Sequence, residues 1–169
     1  MAVTSDFLRS ILDYDPVTGI WTWRARLDRS ASWNTRYAGH RADHAGPHGY
    51  RQLCIDKKSH YAHRLSFLYM TGSLPVADVD HKDLNKSNNR WDNLRLASKS
   101  DNQWNRSSSK NNTVGFKGVA KNSTTGRFVA QIACFGRRYN LGTFHTAEEA
   151  HAAYRDAATK LHGKFARAA

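Results

Sequence analysis

The chain has 169 residues, 26 Lys+Arg against 14 Asp+Glu, a formal net charge of +12 and a pI near 10.0. This excess calls for a polyanionic partner, nucleic acid before membrane, because no long apolar segment or lipidation motif is visible. The only two cysteines, Cys54 and Cys134, exclude a four-cysteine zinc site and suit a reducing, cytosolic compartment. Asp6, Asp13 and Asp15, with no cationic-then-apolar order, argue against a signal peptide.

In chain order, Phe7, Leu8, Ile11 and Leu12 mark one face of a short helix, and Asp15-Pro16-Val17-Thr18-Gly19 is a turn leading into Ile20-Trp21-Thr22-Trp23. Leu27 to Gly49 carries Arg29, Trp33, Arg36, Tyr37 and Arg41, which either lie on DNA or form a loop over the core. The five tryptophans sit in separate elements, so they read as packing rather than a stacking row. Tyr50 to Ile55 is strand-like, and Ala62-His63-Arg64-Leu65 begins a helix through Met70.

The chemistry concentrates between Val79 and Arg106. Pro75 to Val79 predicts a short strand from whose end Asp80 and His81 emerge, and Lys82 to Arg90 is a polar loop. Trp91 to Leu96 alternates as a second strand, and Ser98 caps a helix with Asp101 three residues on and Asn102 in its first turn. Asp80 offers a hard carboxylate oxygen and an Asn a neutral carbonyl oxygen, a pair suited to Mg²⁺ or Mn²⁺ rather than zinc. His81 is then left to act as a base.

Val79-Asp80-His81, Asn88-Asn89-Arg90-Trp91, Asn93-Leu94-Arg95 and Asn102 together resemble the HNH endonucleases of the phage and intron-encoded homing type. The resemblance implies a ββα-metal fold, His81 as general base, Asp80 and Asn102 on a single divalent ion, and Asn93 bracing the loop and orienting His81. Many members have His as the last ligand, where this chain has Asn102; Asn105, one turn on, is a rival. The likeness extends to the Asp15–Gly19 turn followed by Trp23, and to His63-Arg64-Leu65, where His63 reads as a packed, hydrogen-bonded support before a DNA contact.

Arg106 to Asn112 is polar and small, a linker. Beyond it, strands are predicted at Gly115–Ala120, Arg127–Phe135 and Tyr139–Phe144. A capping box at Thr146-Ala147-Glu148-Glu149 then opens a helix with Ala150, Ala153, Tyr154, Ala157 and Leu161 at helical spacing. Gly118-Val119, Phe128 to Ile132, Leu141 to Phe144, Thr146 to Ala150 and Ala153-Tyr154 resemble the DNA-binding domain of plant ethylene-response (APETALA-two) factors. Phe128, Ala130 and Ile132 then face the helix, while Arg127, Val129, Gln131 and Ala133 face the other way. On that side, Lys121, Arg127, Arg137 and Arg138 are expected on phosphates and Gln131 and Asn140 on an adenine edge, although Ala120, Ala133 and Asn140 replace the Arg, Arg and Trp of the plant pattern.

The sequence therefore predicts an α+β protein: a support region at 1–60, a ββα-metal nuclease domain at 61–106, a linker at 107–113, and at 114–169 a three-stranded antiparallel sheet packed on one helix. The expected function is a metal-dependent, homing-type DNA endonuclease that nicks as a monomer, the chain being a monomer or weak dimer. Its partner is double-stranded DNA, without membrane or small-molecule cofactor, in the cytoplasm of a bacterial host if phage-encoded. The alternative is a non-catalytic DNA-binding regulator with a relic nuclease scaffold; RNA fits less well because the sheet lacks an exposed aromatic pair.

Overall fold

The computed structural model describes residues 3–105 and 112–166, so the linker expected at 107–113 lies outside them except for Asn112 and Thr113. Two compact units divide between Ala97 and Ser98.

In the first unit, Thr4 caps α1 (Ser5–Ile11) by accepting the Phe7 N–H, and α1 runs directly into β1 (Leu12–Tyr14). β1 pairs antiparallel with β2 (Trp21–Trp23), Tyr14 opposite Trp21. The turn between them closes on Asp15, whose carboxylate accepts from Val17 N (2.8 Å) and Thr18 Oγ1 (2.6 Å). Ser30 caps α2 (Ala31–Tyr37), a helix with no buried residue. β3 (His44–Ala45), β4 (Arg51–Ile55) and β5 (Lys58–Tyr61) form a meander that leads into α3 (Ala62–Thr71).

Leu8, Leu12, Trp21, Leu53 and Leu65 are fully buried in one core built by α1, β1, β2, β4 and α3. At roughly 1.5–3 kcal/mol per buried side chain, this cluster is the main source of stability of the unit. A second cluster, Phe67, Val79 and Leu94, joins α3 to a hairpin of β6 (Asp78–His81) and β7 (Leu94–Ala97). Helix α3 thus carries the hairpin on one side and the N-terminal core on another.

Two local expectations need correction. The strand begins at Asp78 rather than Pro75, because Arg64 takes the carbonyls of Pro75 (2.6 Å) and Ala77 (3.3 Å) and holds that segment outside the ladder. Asp80 and His81 therefore lie within the strand, on opposite faces. Trp91 to Asn93 is a 3₁₀ turn rather than strand, since Trp91 N–H donates to Pro16 O (2.9 Å) and Asn93 N–H to Arg90 O (3.0 Å).

In the second unit, Ser98 and Asp101 exchange capping hydrogen bonds (3.2 and 2.9 Å) at the start of α4 (Lys99–Asn105). β8 (Val119–Lys121), β9 (Phe128–Cys134) and β10 (Arg137–Phe144) form an antiparallel sheet with β9 central. β8 is shorter than expected because Asn112 Oδ1 draws the N–H groups of Val114 and Gly115 into a turn. Gly118 follows at φ 75°, and a Cβ there would sit 2.0 Å from the Tyr154 ring. Thr146 and Glu149 complete the capping box of α5 (Ala147–His162). Ala130 packs with Ala150, and Ile132 with Tyr154 and Ala158, while Gln131 and Ala133 are exposed.

Candidate functional site

The β6–β7 ladder sets Asp80 opposite Arg95 and His81 opposite Leu94. Val79 and His81 point into the unit; Asp80, on the other face, meets Arg95, whose Nη2 and Nε lie 2.7 and 2.9 Å from its Oδ2. Both side chains of this pair are 12% exposed.

His81 is 3% exposed. Its Nε2 stands 3.1 Å from Asn89 Oδ1. With Oδ1 as the acceptor, Nε2 carries the hydrogen and Nδ1 is left as the basic nitrogen. Burial holds the imidazole below the ordinary histidine range, outweighing the Asn89 hydrogen bond and the Asp83 and Asp80 charges, which act in the opposite sense. Around it stand His63 (5.2 Å between ring centroids) and Tyr50 (6.0 Å), with Tyr61 stacked on His63 at 5.4 Å. Lys86 Nζ lies 4.7 Å from the centre of the Tyr50 ring, a cation at the edge of this aromatic box.

His63 is packed as expected, but its Nδ1 has no hydrogen-bond partner among the described residues. Burial, then the neighbouring His81 and Arg64, push its pKa down to about 3, so it is neutral wherever His81 works.

The loop from Lys82 to Asn93 is closed by amides. Asn93 Oδ1 accepts from Asp83 N (3.1 Å), and its Nδ2 donates to Asp83 Oδ1 (2.9 Å) and Asn88 O (2.8 Å). Its backbone O takes the Lys82 N–H (2.9 Å). Asn88 Nδ2 donates to Asp83 Oδ2 (2.7 Å). Burial alone would raise the Asp83 carboxyl; the hydrogen bonds from Asn88 and Asn93 overcome this and hold it below its usual range. Asn93 therefore braces the loop, whereas the side chain on the His81 ring is that of Asn89. Asn89, Asp83, Tyr50 and Arg95 carry no role that the sequence alone shows; Asn89 stands inside the Asn88-Asn89-Arg90 run, with no signal separating it from a turn residue.

Among the described residues no three His, Cys, Asp or Glu side chains gather as a metal cluster. One carboxylate, Asp80, is a hard oxygen donor of the kind Mg²⁺ takes, an ion that keeps most of its positions for water and phosphate oxygens. Asn102 lies in the first turns of α4 and Asn105 is buried at its end, both in the second unit.

In the second unit, Lys121, Gln131 and Arg138 line one cleft of about 550 Å³ together with Lys117, Asn112 and the small side chains of Ala120 and Ala133. Arg127, Arg137 and Asn140 are exposed outside that lining. Asn140 Oδ1 accepts the Gly142 N–H (3.1 Å) at a bulge in β10. In the first unit, Trp23, Trp33 and Tyr37 pack edge-on and tilted rather than stacked, at centroid spacings of 5.6 and 5.2 Å, with Arg26 and Arg29 over Trp33. α2 lies beside β2, with an isolated bridge between Trp23 and Ala38.

Residues 60–104 match the HNH endonuclease family. Over 89 residues the chain is 35% identical to Protein 3.8 of Escherichia phage T7, covering 53% of this chain and 73% of that protein. Over 106 residues it is 37% identical to an uncharacterized HNH endonuclease of Acanthamoeba polyphaga mimivirus, covering 62% of this chain and 54% of the viral protein. The chain thus spans about half the length of the second relative. No solved structure matches.

Proposed function

Because the chain belongs to the HNH endonuclease family, we propose that it is a divalent-metal-dependent DNA endonuclease with His81 as general base. The observation that carries this reading is the His81 imidazole: buried, desolvated, and within hydrogen-bonding distance of Asn89 through Nε2. A base with a depressed pKa stays unprotonated at neutral pH, as its task requires.

In the reaction, Nδ1 of His81 takes a proton from a water aligned with phosphorus. The water oxygen bonds to phosphorus as the bond to the 3′ oxygen breaks, and the departing 3′ oxygen takes a proton from solvent, leaving a 5′ phosphate and a 3′ hydroxyl. Asn93 keeps the loop closed over this step through its bonds to Asp83 and Asn88. Asp80 is the residue we assign to Mg²⁺ or Mn²⁺, which when bound would neutralise charge on the phosphate and the departing oxygen. Lys121, Gln131 and Arg138 contact the duplex within the cleft of the second unit, and Arg127, Arg137 and Asn140 beside it, in keeping with the plant-domain resemblance. One such site per chain nicks; a double-strand break needs two chains or two events.

A second reading, a non-cutting DNA-binding regulator, is favoured by one observation, the hold of Arg95 on Asp80. Conversion of supercoiled plasmid by the wild type and His81→Ala, with Mg²⁺, Mn²⁺ or chelator, separates the two. Metal-dependent nicking lost in the variant is the expected result. Tight binding without any nicking in either metal would leave the regulator.

A further inference from the structure

We infer that Tyr14 and the Asp15–Gly19 turn are positioning elements of the cutting site: they fix Asn89, and Asn89 fixes the tautomer and orientation of His81. The inference rests on the reading of His81 as general base. Asn89 is 1% exposed and is gripped through its backbone as well as its side chain. Its carbonyl O accepts from Tyr14 Oη at 2.6 Å, and two residues on Trp91 N–H donates to Pro16 O at 2.9 Å. Gly19, at φ 72°, lies against the same peptide: a Cβ there would fall 2.4 Å from Asn89 C and from Arg90 N. No larger residue fits without displacing Asn89.

The grip is rigid at its other end too. The turn is locked by the Asp15 carboxylate on Val17 and Thr18 and by Gly19 N–H on Asp15 O (2.8 Å). The Tyr14 ring is packed by Trp21 (4.8 Å) and Tyr69 (5.8 Å). A continuous set of contacts therefore runs from the N-terminal hairpin through the Asn89 peptide to Asn89 Oδ1 and His81 Nε2. The edge-on ring of His63 and the tilted ring of Tyr50 confine the imidazole plane, but no ring contact chooses which nitrogen carries the hydrogen; a hydrogen-bond partner does. This gives the Asp-Pro-Val-Thr-Gly motif a task that its position, over sixty residues before His81, conceals.

The test compares wild type, Tyr14→Phe and Asn89→Ala in the full chain by two readouts. The first is the His81 tautomer, from long-range ¹H–¹⁵N correlations in the metal-free protein at a fixed pH where histidine is neutral. The second is the nicking rate on supercoiled plasmid with Mg²⁺, split into kcat and KM. The expected result is a single Nε2–H tautomer in the wild type and a mixture in Asn89→Ala with kcat down about 100-fold, the scale of a small misplacement of a reacting group. Tyr14→Phe should shift both readouts in the same direction by a smaller amount, about 10-fold in kcat, with KM unchanged. Gly19→Ala should follow Asn89→Ala if it folds; Tyr14→Phe, which removes one oxygen, decides if it does not. Tyr14→Phe with wild-type tautomer and kcat but a lowered melting temperature would overturn the inference and leave a merely structural contact. If the wild type does not nick, the nuclease reading fails on its own, and the tautomer comparison still decides whether the turn positions His81.

Discussion

The His81 hairpin and the β8–β10 sheet face handle charge in opposite ways. Around His81 the polar groups are buried and interlocked: Asn93 alone connects Lys82, Asp83 and Asn88, and Asn89 joins the loop to the imidazole. On the sheet, Lys121, Gln131 and Arg138 stand exposed over small side chains. The lesson is one of additivity. Interlocked buried groups fail together when one is removed, whereas exposed cations each contribute a small, salt-screened share. The first arrangement suits chemistry, the second suits holding a polyanion.

The largest effect is expected from His81→Ala, which should cut the nicking rate by about 10³-fold, within the range for a lost general base, while plasmid affinity in chelator is unchanged. An affinity loss of comparable size would erase the contrast. Next, Asn93→Ala leaves Asp83 and the Asn88 carbonyl with lost partners. It should cost roughly 3 kcal/mol in chemical denaturation, two or three buried hydrogen bonds' worth, and take activity with it.

A third expectation concerns acid. His63 faces His81, Arg64, Tyr50 and Tyr61, and its folded pKa of about 3 lies below the ordinary value of 6.5. As pH falls from 6.5 toward 3, the unfolded chain takes a proton that folded His63 refuses, so stability is lost on acidification. The slope from this group is about 1.4 kcal/mol per pH unit. His63→Gln should flatten the pH dependence of unfolding by that slope, and an unchanged curve would show that His63 is not buried neutral. The smallest single effects belong to the sheet: Lys121→Ala and Arg138→Ala should each weaken DNA binding a few-fold and reduce the salt slope by about one. Neither should move the rate at saturating DNA.

Much of this was legible in the sequence, for local reasons. The capping residues Ser98, Thr146 and Glu149, the inward Phe128, Ala130 and Ile132, and the Asp15–Gly19 turn follow from rules acting over a few residues. What escaped depended on distant partners. Arg64 shifts the start of β6 by binding carbonyls eleven and thirteen residues away, and Pro16 turns Trp91 out of the ladder. Among site residues, the Asp80-His81 dipeptide stands out, but its two side chains part to opposite faces, and Asn89 stands at hydrogen-bond distance from the His81 ring. An asparagine in a polar loop looks like a turn former until Tyr14 is seen to hold its peptide.

The most direct test of the division between cutting and holding measures both in the same samples: plasmid affinity in chelator, and nicking rate at saturating DNA with Mg²⁺, for wild type, His81→Ala and the Lys121→Ala/Arg138→Ala double variant. The account expects His81→Ala to bind as wild type and fail to cut, and the double variant to bind weakly yet cut at the wild-type rate once saturated. A His81→Ala protein that still nicks as fast as wild type in Mg²⁺ would contradict it.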